Sequence, residues 1–370
     1  MSNLPQELID AILEDVPDSS LAACSLTATS FVVASQRRLF RRMTLSDLPA
    51  YERVIRVLVA SPHLAQYVRA LGLDIRDIPN DSTLIKSIIV PLTKIEYLSI
   101  WGGTGATWPD LGQNPWLIDV LSRTTVKFLA LERLSGVPSS LIAQAFSSCD
   151  EVSLSNVLLS DNGSDGFSAH GAISHFHVPE DVYSTVLPFV LDPKRVGSLH
   201  RLRGLSITSL GLDQSITTFL IACSRTLEHL TIRFPPTRLP ALPALKVLEI
   251  QLQPFFMKST SVLSAISDSI ASSSHLEVLM LSLEERSIRS KSWAERDLSA
   301  YAALDSTFID PDKPHLREIH FCLRWVGVER FPKFIAFIQA NFPRTFEAGM
   351  MKASHRAAVE NPMDRFATVV

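Results

Sequence analysis

One serine of the chain lies in a segment that approximates the nucleophile motif of α/β-hydrolases, Gly-x-Ser-x-Gly. The segment reads Gly204-Leu205-Ser206-Ile207-Thr208, so that threonine stands in place of the second glycine. Ser206 also falls inside a predicted strand, whereas a nucleophile of this class needs a sharp turn between a strand and a helix. The sequence contains neither a phosphate-binding GxxxxGKS/T loop nor an HExxH zinc helix. We therefore expect that the protein is not an enzyme.

Two other groups of side chains could hold a metal ion. The segment Asp161-Asn162-Gly163-Ser164-Asp165-Gly166 imitates the start of a calcium loop. It lacks an oxygen ligand at the third position, and Ala172 stands where the closing glutamate should be. His170, His175 and His177 are close in sequence, but no cysteine or carboxylate is spaced to complete a ligand set with them. We expect a surface loop and structural histidines, and hence no metal and no cofactor.

The composition is that of a folded protein whose net charge is close to neutral. Hydrophobic residues make up 46% and charged residues 20%, with a formal net charge of -3, which indicates a sizeable core and no general attraction to nucleic acid or an anionic membrane. No apolar run reaches the length of a bilayer span, and the first residues do not resemble a secretory signal. The four cysteines form no CxxC pair, as expected of reduced thiols. We expect a cytoplasmic or nuclear location, without nucleic-acid or membrane partners.

The first 45 residues have the apolar spacing of three short helices. Helical intervals separate Leu8, Ile9, Ile12, Leu13 and Val16. Pro5 lies in the predicted first turn of this helix, and Pro17 ends it. A second apolar segment begins at Leu21, and a third helix is predicted from Phe31 onward.

The apolar arc of the first helix is broader than contact with one other helix requires. Leu4, Leu8 and Ile12 lie along one line of the helix, and Ile9 and Leu13 lie along the adjacent line. About forty residues without a disulfide bury too little surface to be stable alone. The arc therefore packs on the rest of its own chain or is covered by a partner protein.

Three segments of this region resemble the F-box in order and spacing. They are Leu4-Pro5-Gln6-Glu7-Leu8-Ile9-Asp10-Ala11-Ile12-Leu13, then Leu21-Ala22-Ala23-Cys24-Ser25-Leu26-Thr27 with Phe31, and finally Arg38-Leu39-Phe40. The resemblance implies that residues 1–45 form an F-box module, which binds the Skp1-type linker of a cullin-RING ubiquitin ligase. The residues that it implies for this contact are Leu4, Pro5, Leu8, Ile9, Ile12, Leu13, Leu21, Leu26 and Phe31. Many F-boxes carry a tryptophan near their end, whereas the first tryptophan here is Trp101.

The same region ends in a basic segment, Arg37-Arg38-Leu39-Phe40-Arg41-Arg42. Such a segment could be a nuclear signal, a nucleic-acid patch or the solvated face of a helix. Two apolar residues interrupt it, and it lies on a predicted helix. The solvated helix face is therefore the favoured interpretation.

Residues 46–343 repeat one short pattern, apolar-x-x-apolar-x-apolar. Clear copies begin at Ile95, Val126, Leu202, Leu227, Leu245, Leu276 and Leu316. The alternation within each copy predicts a strand with one buried face, and segments between copies have the apolar spacing of helices. The region resembles the leucine-rich repeats found behind many F-boxes. We therefore expect an α/β fold, namely an irregular leucine-rich-repeat solenoid with an N-terminal three-helix F-box module.

The solenoid is expected to be irregular because the copies are unevenly spaced and the usual repeat asparagine is missing. A longer insert is expected around residues 284–312. A helix from residue 331 to residue 338 is expected to close the end of the array. Residues 344–370 are more polar and are expected to form a loose tail.

In such a solenoid, residues that flank the buried strand positions would line the concave face. Aromatic and long polar side chains on a rigid sheet are suited to binding a protein. The predicted target-binding residues are Tyr97, Trp101, Phe128, His229, Arg233, Glu249, Met280 and His320. Tyr97, Trp101 and Phe128 form the candidate anchor, unless loops or neighbouring side chains cover them.

These features together predict a substrate-recognition adaptor of an SCF-type ubiquitin ligase, whose partners are a Skp1-like linker with its cullin core and a protein substrate. The alternative is a protein-interaction scaffold unrelated to ubiquitination, in which the N-terminal helices cap the array. Capping requires Leu8 and Ile12 to be buried against the strands of the same chain. A hydrolase would instead require a pocket with convergent titratable groups.

Overall fold

A computed structural model of the chain describes residues 4–76, 82–103, 116–123, 126–160, 171–178, 186–191, 196–207, 214–233, 239–252, 260–271, 273–284, 298–310, 315–324 and 331–356. The structural statements that follow concern these residues. The chain divides into two compact units, Met1–Ser168 (unit 1) and Ala169–Val370 (unit 2).

Unit 1 begins with three helices and continues with strands that alternate with helices. Its elements are α1 (Gln6–Glu14), α2 (Asp18–Thr27), α3 (Thr29–Arg41), β1 (Arg42–Leu45), α4 (Leu48–Ala60), a 3₁₀ helix (Pro62–Tyr67), β2 (Ala70–Asp74), α5 (Ser82–Ile89), β3 (Tyr97–Trp101), α6 (Trp116–Arg123), β4 (Phe128–Val137), α7 (Ser139–Ser148) and β5 (Glu151–Leu159). The three helices predicted before residue 45 are therefore present. The Asp47 carboxylate caps α4 by accepting a hydrogen bond from the Ala50 backbone N–H at 2.8 Å, as short polar side chains do at helix starts.

In unit 2 helices also separate most of the strands, although no helix is described between β8 and β9, and the last described element is a strand. Its elements are β6 (His175–Val178), α8 (Val186–Val190), a 3₁₀ helix (Val196–Arg201), β7 (Gly204–Ile207), α9 (Gln214–Cys223), β8 (His229–Arg233), β9 (Val247–Leu252), α10 (Thr260–Ala271), β10 (Val278–Glu284), α11 (Leu298–Phe308), β11 (Glu318–Arg324), α12 (Phe331–Asn341), α13 (Pro343–Glu347) and β12 (Met351–Arg356).

The repeated apolar positions form buried rows that cross neighbouring parallel strands. In unit 1 one row consists of Met43, Leu71, Leu98, Leu129 and Val152. In unit 2 the corresponding row consists of Phe176, Leu205, Leu230, Leu248, Leu279 and Ile319. A slip of one residue would turn the apolar side chains of a strand to the opposite face. The apolar pattern therefore holds the register.

The predicted α/β class is confirmed, but the predicted irregular leucine-rich-repeat solenoid is wrong. The described strands follow chain order within each unit, β1 to β5 in unit 1 and β6 to β12 in unit 2, and the paired strands are parallel. The register is continuous apart from one shift between Ser135 and Val137 in β4. The prediction of an irregular array relied on the uneven spacing of the sequence copies. That unevenness lies in the connections between strands, and the hydrogen bonds between paired strands are regular.

The end of the chain also differs from the expected polar tail at residues 344–370. Within that range lie most of α13 and all of β12, and β12 pairs with β11. Helix α12 is present where a closing helix was expected, but it is followed by this further strand. Of the expected insert at residues 284–312, the structure describes α11, while residues 285–297 and 311–312 lie outside the described ranges. Residues 357–370 of the expected tail also lie outside them.

Charged residues of alternating sign precede consecutive strands and form what we call the amino-edge row. In unit 1 the row consists of Arg69, Glu96 and Lys127, and in unit 2 of Arg203, Glu228, Lys246, Glu277 and Arg317. Backbone hydrogen bonds join each member to the next; for example, the N–H groups of Glu228 and Lys246 donate to the carbonyls of Arg203 and Glu228, both at 2.8 Å. Opposite charges on adjacent strands attract, whereas like charges would repel. The alternation therefore favours the observed strand order within each unit.

Candidate protein-docking surface

The three N-terminal helices enclose a small apolar core of their own. Buried side chains from each helix form it: Ile9, Leu13, Leu21 and Ala34, with Val16, Cys24, Phe31 and Leu39 packed around them. Helix α1 starts directly after Pro5, whose carbonyl accepts hydrogen bonds from the N–H groups of Leu8 and Ile9. One line of the apolar arc of α1 is thus used inside the module.

The other line of α1, together with Leu4 just before the helix, is exposed. Leu4, Leu8 and Ile12, which we call the apolar stripe, retain 49%, 51% and 49% of their accessible surface. Leu26 at the end of α2 and Val33 on α3 are also exposed, at 88% and 45%. Exposed large apolar side chains at regular spacing on a helix indicate a contact surface.

The nine residues predicted to contact a linker fall into three groups. Five are exposed: Leu4, Pro5, Leu8, Ile12 and Leu26. Three are buried in the core of the module, namely Ile9, Leu13 and Leu21. Phe31 is half-buried against that core. The helix pattern alone did not separate these groups, because both lines of α1 are apolar.

The basic segment of α3 ties the helices of the module together. The Arg38 guanidinium donates to the Val16 carbonyl at 3.1 Å and to the Asp18 carboxylate at 3.2 Å. Arg37 contacts the Asp10 carboxylate at 3.3 Å. These pairs are largely exposed, and each contributes little stability. Two of the four arginines of the basic segment, Arg37 and Arg38, thus have partners within the module.

The predicted target-binding residues lie on the sheet face opposite the buried rows, which we call the open face. In unit 1 the rings of Tyr97 and Phe128 are neighbours across β3 and β4, with centroids 6.2 Å apart. Phe128 is only 7% exposed, so that Tyr97 and Trp101, both half-buried, are the more accessible members of the predicted anchor. Gly72 is required beside Trp101, because a Cβ atom there would come within 2.9 Å of the indole ring.

In unit 2 the open face carries His229, Arg233, Glu249, Met280 and His320, of which His229 is exposed and the others are half-buried. Glu249 is engaged within the protein. Its carboxylate is 2.7 Å from the Arg324 guanidinium and accepts a hydrogen bond from the Ser282 hydroxyl, also at 2.7 Å. The predicted residues therefore occupy one face within each unit, but Glu249 stabilises the sheet in addition to any contact with a partner.

Asp74, at the end of β2, is a buried carboxylate that sequence reasoning missed. It is 2% exposed, and the Arg76 guanidinium binds it through Nε at 3.0 Å and Nη2 at 2.6 Å. Desolvation by burial acts to raise the pKa of Asp74, but hydrogen bonds from Arg76 and Trp101 outweigh it and leave the pKa below its ordinary value. The cluster fixes Trp101 on the open face.

Asp74→Asn should lower the free energy of unfolding by about 2 kcal/mol at pH 7, because hydrogen bonds to a charged group contribute roughly 1.5–3 kcal/mol. The pKa of Asp74 in the folded state lies below that of an unfolded aspartate, which is about 3.9. The charged form therefore stabilises the fold above that pH, and the contribution is lost as the pH falls through the folded-state pKa. Urea unfolding at decreasing pH should show the difference between variant and wild type shrinking.

Asp15→Asn is the matched control, since Asp15 is exposed at the end of α1. This substitution should leave the free energy of unfolding nearly unchanged at every pH. A deficit of Asp74→Asn that stays constant from pH 7 to pH 3 would contradict the prediction.

Ser354, His320 and Glu318 are arranged in space as a serine, a histidine and an acid, the three groups of a hydrolase triad. The sequence did not predict this arrangement. The His320 ring nitrogen Nε2 is 2.8 Å from the Ser354 hydroxyl, and Nδ1 is 4.0 Å from the Glu318 carboxylate. The second distance exceeds a hydrogen bond, and the Glu318 carboxylate instead binds Lys352 at 2.5 Å. A triad needs the acid to orient the imidazole. We therefore interpret this arrangement as a contact between β11 and β12.

Other candidates for chemistry are the serine and histidines considered above as a nucleophile or as metal ligands, and two of the cysteines. Ser206 lies inside β7, and the His175 ring packs where a Cβ atom of Gly204 would stand; His170 lies outside the described residues. Burial raises the pKa of the Cys149 and Cys223 thiols to about 12, which keeps them protonated and weakly nucleophilic.

Within the described ranges, no three His, Cys, Asp or Glu side chains are grouped closely enough to hold a metal ion. No helix in this part of the chain combines the length and apolarity needed to cross a membrane. No protein-family model and no curated protein matches the chain.

Proposed function

We propose that the protein is a substrate-recognition adaptor of an SCF-type cullin-RING ubiquitin ligase. The N-terminal module docks on a Skp1-type linker, and the open face of the parallel sheet binds a target protein. The observation that carries the proposal is the apolar stripe of Leu4, Leu8 and Ile12, which remains exposed although the same helix buries its other apolar line.

The stripe has the properties of an unfilled helix contact. Leu8 and Ile12 are one helical turn apart and point to the same side of α1. Each leaves about half of its surface in water, and covering a leucine or isoleucine side chain fully is worth roughly 1.5–3 kcal/mol. A partner with an apolar groove would gain about half of this energy for each side chain, without rearranging the module.

An adaptor of this kind performs no bond chemistry itself. It holds the target near the ubiquitin-loaded enzyme and so raises the local concentration of the target's lysines.

The accessible aromatic and polar side chains of the open face are the proposed contacts with the target. Tyr97 and Trp101 supply large amphipathic surfaces, and Asp74 and Gly72 position Trp101. Aromatic side chains that are already held in place lose little conformational entropy on binding. His229 and Met280 offer the corresponding positions in unit 2.

The alternative is a protein-interaction scaffold unrelated to ubiquitination, whose N-terminal helices only cap the sheet. That arrangement requires Leu8 and Ile12 to be buried against strands of the same chain, and their exposure of 51% and 49% does not meet the requirement. The ligase adaptor is therefore the better-supported proposal.

Copurification tests the proposal directly. The full chain should coelute with a coexpressed Skp1-type linker as a one-to-one complex in size-exclusion chromatography. The complex should then bind the N-terminal part of a cullin. A folded chain that elutes separately from the linker at micromolar concentrations would contradict the assignment.

A further inference from the structure

A groove of about 850 Å³ runs along the amino-edge row of unit 2. Its lining includes four members of that row, Arg203, Glu228, Lys246 and Glu277. These residues precede β7, β8, β9 and β10, so their backbones are adjacent and spaced by about 4.8 Å, the distance between paired strands. The groove therefore crosses the strands at their amino ends, away from the middle of the open face.

Residues three or four positions before strands of this unit also line the groove. Arg201 and Arg225 stand at the β7–β8 end. His275 and His315 stand at the β10–β11 end, with ring centroids 5.3 Å apart. All four side chains are exposed, so a ligand in the groove would reach them without displacing other parts of the protein.

The charges of the groove are unevenly compensated. Lys246 binds the Glu228 carboxylate at 3.1 Å, and Arg317 binds the Glu277 carboxylate. The hydrogen bond from Lys246 is the main reason why the pKa of Glu228 is lowered, and Arg203 adds a weaker attraction. Among the described residues, Arg201 and Arg225 have no carboxylate within ion-pair distance. The β7–β8 end thus carries excess positive charge.

We propose that this groove binds an acidic peptide segment, with aspartate or glutamate side chains held by Arg201, Arg203 and Arg225. Arginine binds carboxylates through two parallel hydrogen bonds. The volume suits a few residues, since sites for small ligands measure roughly 300–1,000 Å³. That the segment belongs to the target protein rests on the proposed function.

A peptide fits this groove better than a nucleic acid. Glu228 and Glu277 line the groove together with the cations and would repel a continuous phosphate backbone. A peptide can place carboxylates beside the arginines and neutral backbone beside the glutamates. Base recognition by stacking would also need broad aromatic faces, and the aromatic rings among the described lining residues are the imidazoles of His200, His275 and His315.

Fluorescence anisotropy with the full chain tests this inference. The probe is a fluorescein-labelled decapeptide with four consecutive glutamates, compared with the same peptide carrying glutamines. The glutamate peptide should bind at least roughly tenfold more tightly, and more weakly as salt is added. The double variant Arg203→Gln/Arg225→Gln should weaken binding by a factor of about ten or more, because charge-assisted pairs supply the specificity.

The matched control is Arg53→Gln/Arg56→Gln, which removes two exposed arginines from α4 and should leave the affinity unchanged. Equal affinity for both peptides, or an unchanged affinity in the Arg203/Arg225 variant, would overturn the inference. Binding confined to a phosphoserine version of the peptide, or tighter binding of an oligonucleotide, would also overturn it. The Arg203/Arg225 variant should still bind the linker, so a failure here is distinguishable from a failure of the proposed function.

Discussion

The double substitution Leu8→Asp/Ile12→Asp should abolish copurification with a Skp1-type linker. Both side chains are half-exposed in the free protein and would become buried in the complex. Burying a carboxylate without a partner costs several kcal/mol, so the dissociation constant should rise by at least about a hundredfold, or 2.7 kcal/mol. Isothermal titration calorimetry with purified linker measures the change.

The same substitutions should leave the module folded. Aspartate costs an exposed helix position only about 0.5–0.7 kcal/mol relative to the best helix formers. An acid at position 8, near the start of α1, interacts favourably with the helix dipole, whereas an acid at position 12, in the last turn, interacts slightly unfavourably. Val59→Asp/Val90→Asp is the control, because these exposed valines lie outside the module. Linker binding by the Leu8/Ile12 variant at wild-type affinity would reject the docking surface.

Leu13→Asp should behave differently from the surface substitutions. Leu13 is 1% exposed in the core of the module, so a charge there should unfold the three helices. Circular dichroism separates this loss of structure from a loss of contact. Only the surface pair tests the interface itself.

Asp305→Ala should reduce the free energy of unfolding by about 3 kcal/mol, because each buried donor left without an acceptor costs roughly 1–3 kcal/mol. The Asp305 carboxylate accepts hydrogen bonds from the Arg344 N–H at 3.0 Å, the Thr345 N–H at 2.9 Å and the Thr345 hydroxyl at 2.5 Å. It lies on α11, is 2% exposed and caps the first turn of α13 from another part of the chain. Helix α13 leads into β12, so backbone amides of β12 should exchange with deuterium faster in the variant.

Asp305→Asn keeps one oxygen acceptor and should lose less stability than Asp305→Ala. Asp268→Ala is the control, because Asp268 is exposed on α10 and makes no hydrogen bond or ion pair among the described residues. Wild-type protection of β12 amides in Asp305→Ala would show that the cap does not anchor the last strand.

Local pattern in the sequence was sufficient to predict the strands that contain a clear copy of the repeat, but not β12, which lies within the expected tail. Each apolar-x-x-apolar-x-apolar copy contains residues that lie in a strand, such as Leu98 and Ile100 in β3 or Leu230 and Ile232 in β8. Alternation has a period of two in any strand, so this information is local. The three N-terminal helices were predicted for the same reason, since their apolar residues recur at helical intervals.

The sequence by itself thus determined the elements with a clear short-range apolar period, namely the three N-terminal helices and the strands that contain a clear copy of the repeat. Only the tertiary structure decided which line of α1 packs on its neighbours: Ile9 and Leu13 are buried, while Leu8 and Ile12, equally apolar, are exposed. It also decided that Thr345, within the expected tail, is held by Asp305, forty residues earlier. Contacts between residues that are distant in the sequence leave no periodic pattern in it, because these residues come together only in the folded chain.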